Sequence, residues 1–404
     1  MSRIFLLTIL LAGGANVFAH SIPVDTAKPQ LDISLAVTAR SDGAVASDEY
    51  WRIPGVLMGG HAWPAQRGIS MDELSLSLGY RIDENLFAVI KAAQHDGHDG
   101  GPSIDHAWVG YVCCDSVGPL VIEAGRMSAA FTPSVSEHSS ARIFSDASLP
   151  ADAFLGRHFH DHGMRVWRHH PNGLSFGMEL WQGEAFPASA DEDGGAGDVF
   201  ASINHQRGRL TLQTGVWALF ARANERPDHR YTEDHTHGGI GAVPPADVRF
   251  SGDSLLSGIH ALVGWQVRTD VHAALRMEWM QVEADGVIED ITRRATIDSV
   301  YSGIVLQPEM TIARHSFAVR AEQLVLDNHV TGAAALPLSQ DANLINDHNP
   351  WRLALGWRWQ WRDAVALRAD LTRDATLGKA ENRAAIGFVW HQSLTRQGAH
   401  QHKP

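Results

Sequence analysis

The chain has 404 residues, a formal charge of −13 and 44% hydrophobic residues. The acidic balance argues against a nucleic-acid partner and mildly favours cations over anions. The two cysteines are the adjacent pair Cys113-Cys114, which excludes a disulfide framework and suggests no function.

Residues 1–19 read as a cleaved export signal. Arg3 gives a positive start, Ile4 to Ala12 is a short apolar run, and Val17-Phe18-Ala19 is a small-residue cleavage site. That apolar run is too short to span a bilayer as a helix, and no later stretch is long enough. The remaining choices are a soluble exported protein or an outer-membrane barrel, and only the strand pattern separates them.

Period-two alternation of apolar and polar side chains marks strands along the rest of the chain. The first runs from Leu31 to Val37. After a long segment the second (Leu74 to Tyr80) and third (Leu86 to Ala93) flank Asp83-Glu84-Asn85. A loop rich in His, Asp and Gly leads to the fourth (Ile104 to Cys113) and fifth (Leu120 to Met127). A third long connection, Ser128 to His162, precedes the sixth (Gly163 to His169) and seventh (Leu174 to Gln182), joined by Pro171-Asn172-Gly173, a strong hairpin signal. Strands eight (Val199 to His205) and nine (Leu210 to Ala221) flank Gln206-Arg207-Gly208. Ten (Leu255 to Val267) and eleven (Val271 to Gln281) meet at Thr269-Asp270. Twelve (Ser299 to Leu306) and thirteen (Ile312 to Leu324) are expected to turn at Gln307-Pro308-Glu309.

The last strands are the clearest. Trp351, Leu353, Leu355, Trp357, Trp359 and Trp361 alternate with Arg352, Ala354, Gly356, Arg358 and Gln360. After Arg362-Asp363, Val365, Leu367, Ala369 and Leu371 alternate with Ala366, Arg368 and Asp370. Tryptophan on one face and arginine on the other suit a wall with lipid outside and water inside. Asn382 to Trp390 is the sixteenth strand, and His391 to Pro404 is expected to be a polar tail. Long and short connections alternate throughout, as short periplasmic turns and long external loops do. The predicted fold is therefore all-β: a closed antiparallel transmembrane barrel of about sixteen strands over residues 20–390, in contact with outer-membrane lipid.

In this layout the chain resembles general sixteen-stranded porins. The segment Glu123-Ala-Gly-Arg-Met-Ser-Ala-Ala-Phe-Thr-Pro133 is similar to the lead-in to the constriction loop of phosphate-selective-type porins. The resemblance implies a homotrimer in the cell outer membrane, with the third external loop folded into the lumen. Anion-selective relatives have lysine-rich lumens, whereas this chain has four lysines (Lys28, Lys91, Lys379, Lys403). The resemblance thus speaks to fold more than to phosphate.

Alternation assigns Arg276, Arg320, Arg352, Arg358, Arg368 and Arg383 to the lumen, since a mid-membrane arginine facing lipid costs roughly 2–4 kcal/mol. The third loop carries Glu137, Asp146, Asp152 and Asp161. Loop acid opposite wall arginine would set up a transverse field that tunes ion selectivity. Histidine is the other unusual feature. His158, His160 and His162 repeat every second residue, which in extended backbone puts them on one face roughly 6–7 Å apart. His95 and His98 lie beside Asp96 and Asp99, and His229, His235 and His237 beside Asp228, Glu233 and Asp234. Imidazole with carboxylate suits Zn²⁺, Cu²⁺ or Ni²⁺. Some porins of this layout are thought to serve zinc acquisition, and the His-rich loops here are similar. These readings together predict a porin for passive diffusion of small solutes or ions, needing no cofactor, with transient Zn²⁺ binding and a preference for divalent metal. Anion passage along the arginines is the alternative. A barrel enzyme lacks any paired nucleophile and base.

Overall fold

The computed structural model describes residues 29–44, 50–95, 102–113, 118–189, 194–231 and 247–394. Sixteen antiparallel strands form one closed barrel, each paired with its sequence neighbours and the first with the last. They are β1 (Gln30–Arg40), β2 (Gly68–Arg81), β3 (Leu86–His95), β4 (Ser103–Cys113), β5 (Leu120–Ser128), β6 (His160–His169), β7 (Leu174–Trp181) and β8 (Gly195–Arg207). The second half comprises β9 (Leu210–Arg226), β10 (Arg249–Arg268), β11 (Val271–Glu289), β12 (Arg294–Ile312), β13 (His315–Thr331), β14 (Trp351–Arg362), β15 (Val365–Asp374) and β16 (Glu381–Ser393).

Alternation fixes which face is wet. Leu353, Leu355, Leu371 and Ile386 are exposed on the outer surface, while Arg352, Arg368, Asp370 and Arg383 are buried inside. Val109, Leu180, Val216, Ile259, Ile304 and Val325 continue the exposed apolar belt around the circumference. A band of that extent on a soluble protein would be an aggregation hazard, and against acyl chains it is the solvated face. At the short-turn end Trp357 donates from Nε1 to His315 Nδ1 at 3.2 Å, and Trp359 stacks on the same imidazole. Amphipathic rings at this level form an interfacial girdle.

The expected strands are present, with four corrections. Residues 307–309 are not a turn: β12 runs through Pro308 to Ile312 and reverses at 313–314, pairing Ile312 with His315. Pro308 pairs with Leu275 on one side, while the ladder to β13 is interrupted at 307–308. A missing N–H is tolerated at such a gap. The connection after β11 is only residues 290–293, because β11 and β12 run on to it as strands that stay paired with β10 and β13. Val282, Ala284, Ile288, Ala295 and Ile297 of this extension are apolar and buried and belong to the main apolar cluster. β16 extends to Ser393, where it pairs with Asp32, so the strand outlasts Trp390. The histidines 158, 160 and 162 do not share a face, as described below. Residues 1–19, where an export signal is expected, Cys114 and residues 395–404 lie outside the described residues.

Two long loops fold into the external half of the lumen and narrow it. The first long loop (41–67) contributes Trp51, Ile53, Val56 and Met58, and the third (129–159) contributes Phe131, Leu149, Phe154, Leu155 and Phe159 to one apolar cluster. Leu338, on the short helix α2 (Ala335–Asp341) of the seventh loop, completes it against β11–β13. The first and third loops touch at Gly60 and Gly156, both at positive φ (67° and 59°). A Cβ on either would come within 2.8 Å of the other's Cα, so glycine is needed for this approach.

Candidate functional site

The site is where the third loop crosses the lumen. On one flank, wall arginines bind it. Arg368, fully buried, donates to Ser139 O at 2.6 Å, to Thr38 Oγ1 at 2.9 Å and to Asp72 at 2.7 Å. Arg358 donates to the carbonyls of Ser140 and Arg142, each at 3.0 Å. Arg320 donates to Asp146 O at 3.1 Å and Ala147 O at 3.3 Å while covering the Phe144 ring. Carboxylates on the wall do the same for loop amides. Asp370 accepts from Ser145 N at 3.0 Å, and Glu322 accepts from Leu149 N at 2.9 Å, capping helix α1 (Leu149–Leu155). Ion pairs complete the latch: Asp146 lies 3.1 Å from Arg383 and 3.7 Å from Arg40, and Asp152 lies 2.8 Å from Arg157 and 3.8 Å from Arg352. Burial pushes the Asp146 carboxyl up, but Arg383, Arg40, Arg352 and Arg320 together pull it well below the usual carboxylate range.

The opposite flank is held by imidazole. His138 of the loop meets Lys91 of β3 (Nζ to Nε2 2.7 Å) and packs near His95, His106 and His158 at ring separations of 6.1, 6.4 and 6.1 Å. His158 also lies 5.7 Å from His95, whose Nε2 is 2.8 Å from Asp105. Burial, and then the charges of His95 and Arg142, hold His158 well below its ordinary pKa.

Two cavities flank the loop. The larger, about 590 Å³, is an outer vestibule lined by six arginines (40, 126, 142, 157, 352, 383) and four aspartates (72, 105, 146, 152), with His61, His95, His158 and His160. The smaller, about 100 Å³, lies between the loop and β9–β13 and is lined by Glu137, Glu278, Gln213, His260, Arg276 and Arg320 among others. Glu278 is held there by the hydroxyls of Thr132 and Ser134. Arg142, Ala147, Arg157 and His158 line both cavities.

The expected constriction residues are thus mostly gathered, with a different division of labour. Asp146 and Asp152 do face wall arginines, but in contact with them, so those charges fasten the loop. Arg276 pairs with Glu309 at 2.5 Å. Glu137 keeps the facing role: it makes no direct ion pair with the described residues, and its charge acts on Arg142, Arg276 and Arg358. Asp161 is a correction. It is fully buried and accepts the backbone N–H groups of Gly183, Glu184 and Ala185 at 2.8, 2.9 and 3.4 Å, which anchors the fourth loop away from the pore.

The expected metal ligands are dispersed. His158 joins His95 and His138, His160 stacks on His61 at 5.2 Å, and His162 sits half-exposed 3.6 Å from Glu184. β6 begins only at His160, so the three histidines do not share one extended strand. Among the described residues the one group with three donor atoms within 4.8 Å of each other is Asp161, His162 and Glu184. His229 is exposed beside Asp228 in a short 3₁₀ turn, and His98, His235 and His237 lie outside the described residues. Sequence reading missed His138, Lys91 and Arg142. Inward glycines were the available signal for the loop: a Cβ on Gly356 would sit 2.7 Å from the Phe144 ring, so that position marks where the loop lands.

No protein-family model and no curated protein sequence matches the chain. Solved structures do. OmpT of Vibrio cholerae, an outer membrane protein in its trimer form, aligns over 91% of this chain and 99% of its own at 11% identity and TM-score 0.50. The outer membrane channel DcaP of Acinetobacter baumannii aligns over 90% and 96% at 10% identity and TM-score 0.51. OprB of Pseudomonas putida aligns over 91% and 94% at 11% identity and TM-score 0.51. At these identities the likeness is one of fold: the sixteen-stranded barrel of the outer membrane.

Proposed function

We propose that the chain is an outer-membrane channel for passive diffusion of small hydrophilic solutes, with a preference for small anions. The observation that carries this reading is the loop lying across a polar lumen with a vestibule beside it whose six arginines outnumber four aspartates. Fixed charge at a narrow passage tunes ion preference. The structural likeness to the outer membrane channel DcaP supports diffusion, and the trimeric OmpT supports assembly as a homotrimer. The test is planar-bilayer conductance of purified protein, with the reversal potential read in a potassium chloride gradient. Discrete conductance steps and a chloride-directed reversal potential are expected. A non-conducting protein, or a potassium-directed potential, defeats the reading.

A second reading, preference for a divalent metal such as zinc, is favoured by one observation: the convergence of Asp161, His162 and Glu184. Asp161 is already occupied by backbone amides, so any such site would be open and weak. The vestibule histidines support it less, because the Lys91 ammonium lies among them. Calorimetric titration with zinc, repeated on His162→Ala, decides it.

A further inference from the structure

Arginines are abundant in this lumen, but their side chains are not equivalent. Arg320, Arg352, Arg358, Arg368 and Arg383 are each tied to a carboxylate or to a loop carbonyl. Arg157 donates to Asp152 at 2.8 Å and to Trp63 O at 2.6 Å. Arg142 differs. It lines both cavities, and its guanidinium makes no ion pair or side-chain hydrogen bond with the described residues. Its Nε is buried without an acceptor. A partly buried cation whose Nε lacks an acceptor is costly, and a stability argument gives no reason to keep it. Burial lowers its pKa to about 10, so it stays charged at neutral pH.

Position matters as much as charge. The two cavities meet at the residues common to their linings, and Arg142 is the one charged residue among these not already paired. A cation engaged by carboxylate presents little net field to a passing ion, whereas an unpaired one presents all of it.

We propose that Arg142, carried on the third loop, sets the channel's anion preference, and that the wall arginines hold the loop in place. This rests on the diffusion reading above and names the residue that gives it its sign. Glu137, whose charge acts on Arg142 without contacting it, moderates the preference.

The experiment compares reversal potentials for the wild type, Arg142→Gln, Arg142→Lys and Glu137→Gln, with heat-modifiable gel mobility confirming the barrel. Arg142→Gln is expected to lower the chloride-to-potassium permeability ratio by roughly tenfold, because one unit charge about 6 Å from a permeating ion at water-like dielectric shifts each ion about threefold in opposite senses. Arg142→Lys should retain the preference and Glu137→Gln should raise it. An unchanged potential in Arg142→Gln overturns the proposal while leaving an anion-preferring channel intact. A wild type that favours potassium overturns both. If Arg142→Gln does not form a barrel, Glu137→Gln decides: a raised anion preference supports the proposal and an unchanged one overturns it.

Discussion

The two flanks of the third loop are held by different chemistry. Toward β13–β16 and β1 the loop is fastened by guanidinium groups on carbonyls and carboxylates, and by wall carboxylates on its amides. Toward β3 and β4 it rests on a lysine and a cluster of imidazoles. Arginine stays protonated at any pH a cell meets, and histidine does not. The same loop is therefore fixed on one side and titratable on the other, which a count of lumen charges would not reveal.

The largest expected effect comes from breaking the fixed flank. Arg368→Ala removes donors to Ser139, Thr38 and Asp72 together and leaves Asp72 with a buried charge short of one partner. Breaking a buried pair in this way costs about 3–5 kcal/mol. Single-channel conductance should rise and become noisy, and the heat-modification midpoint should fall. Gly356→Ala attacks the same flank sterically, because the new methyl would meet Phe144 at 2.7 Å. Overpacking of that kind costs about 1–3 kcal/mol. The expected outcome is a smaller shift of the same midpoint with the ion preference unchanged.

The titratable flank should respond to pH alone. His158 is buried and its folded pKa lies below the ordinary value, so the folded state binds fewer protons than the unfolded one. Its contact is at full strength above the unfolded pKa of about 6.5 and weakens as pH falls from there toward the lower folded value. Protonation would place a charge among His95, Lys91, Arg142 and Arg157, with Asp105 and Glu73 the acids close at hand. Asp146 has the opposite sense. Its lowered pKa makes its contribution present above about 3.8 and lost only as pH falls further. Between about pH 6.5 and 4 the histidine flank should loosen while the arginine flank holds. Conductance noise recorded across that range should increase, and His158→Gln should flatten the response.

Much of this was legible in the chain. Period two gave the strands, and the cost of arginine in lipid put Arg320, Arg352, Arg358, Arg368 and Arg383 inside. The resemblance to sixteen-stranded porins implied that the third long connection folds into the lumen. What stayed hidden depends on three-dimensional proximity. The outer ends of β11 and β12 looked like loop because Glu283, Asp285, Gly286 and Glu289 interrupt them, although Val282, Ala284, Ile288 and Ile297 keep the alternation. Pro308 looked like a turn because the gap that accommodates it belongs to pairing with β13. Asp161 looked like a pore acid because nothing local shows that three amides of the fourth loop converge on it. His138 and Arg142 were passed over because each matters only through what the fold brings near it.

The smallest effect belongs to His162, and it separates the histidines by position. Its side chain is half-exposed, its partner Glu184 is 3.6 Å away and 39% exposed, and it lines neither cavity. An exposed imidazole–carboxylate pair contributes about 0–1 kcal/mol. His162→Ala should therefore leave the heat-modification midpoint, the reversal potential and the acid response of the loop unchanged. The one property it should alter is zinc uptake by calorimetry, if the group with Asp161 and Glu184 binds zinc at all. Should His162→Ala abolish the acid response that His158→Gln is expected to abolish, the division into a fixed and a titratable flank would be wrong, because pH would then act from the outer rim and not through the loop.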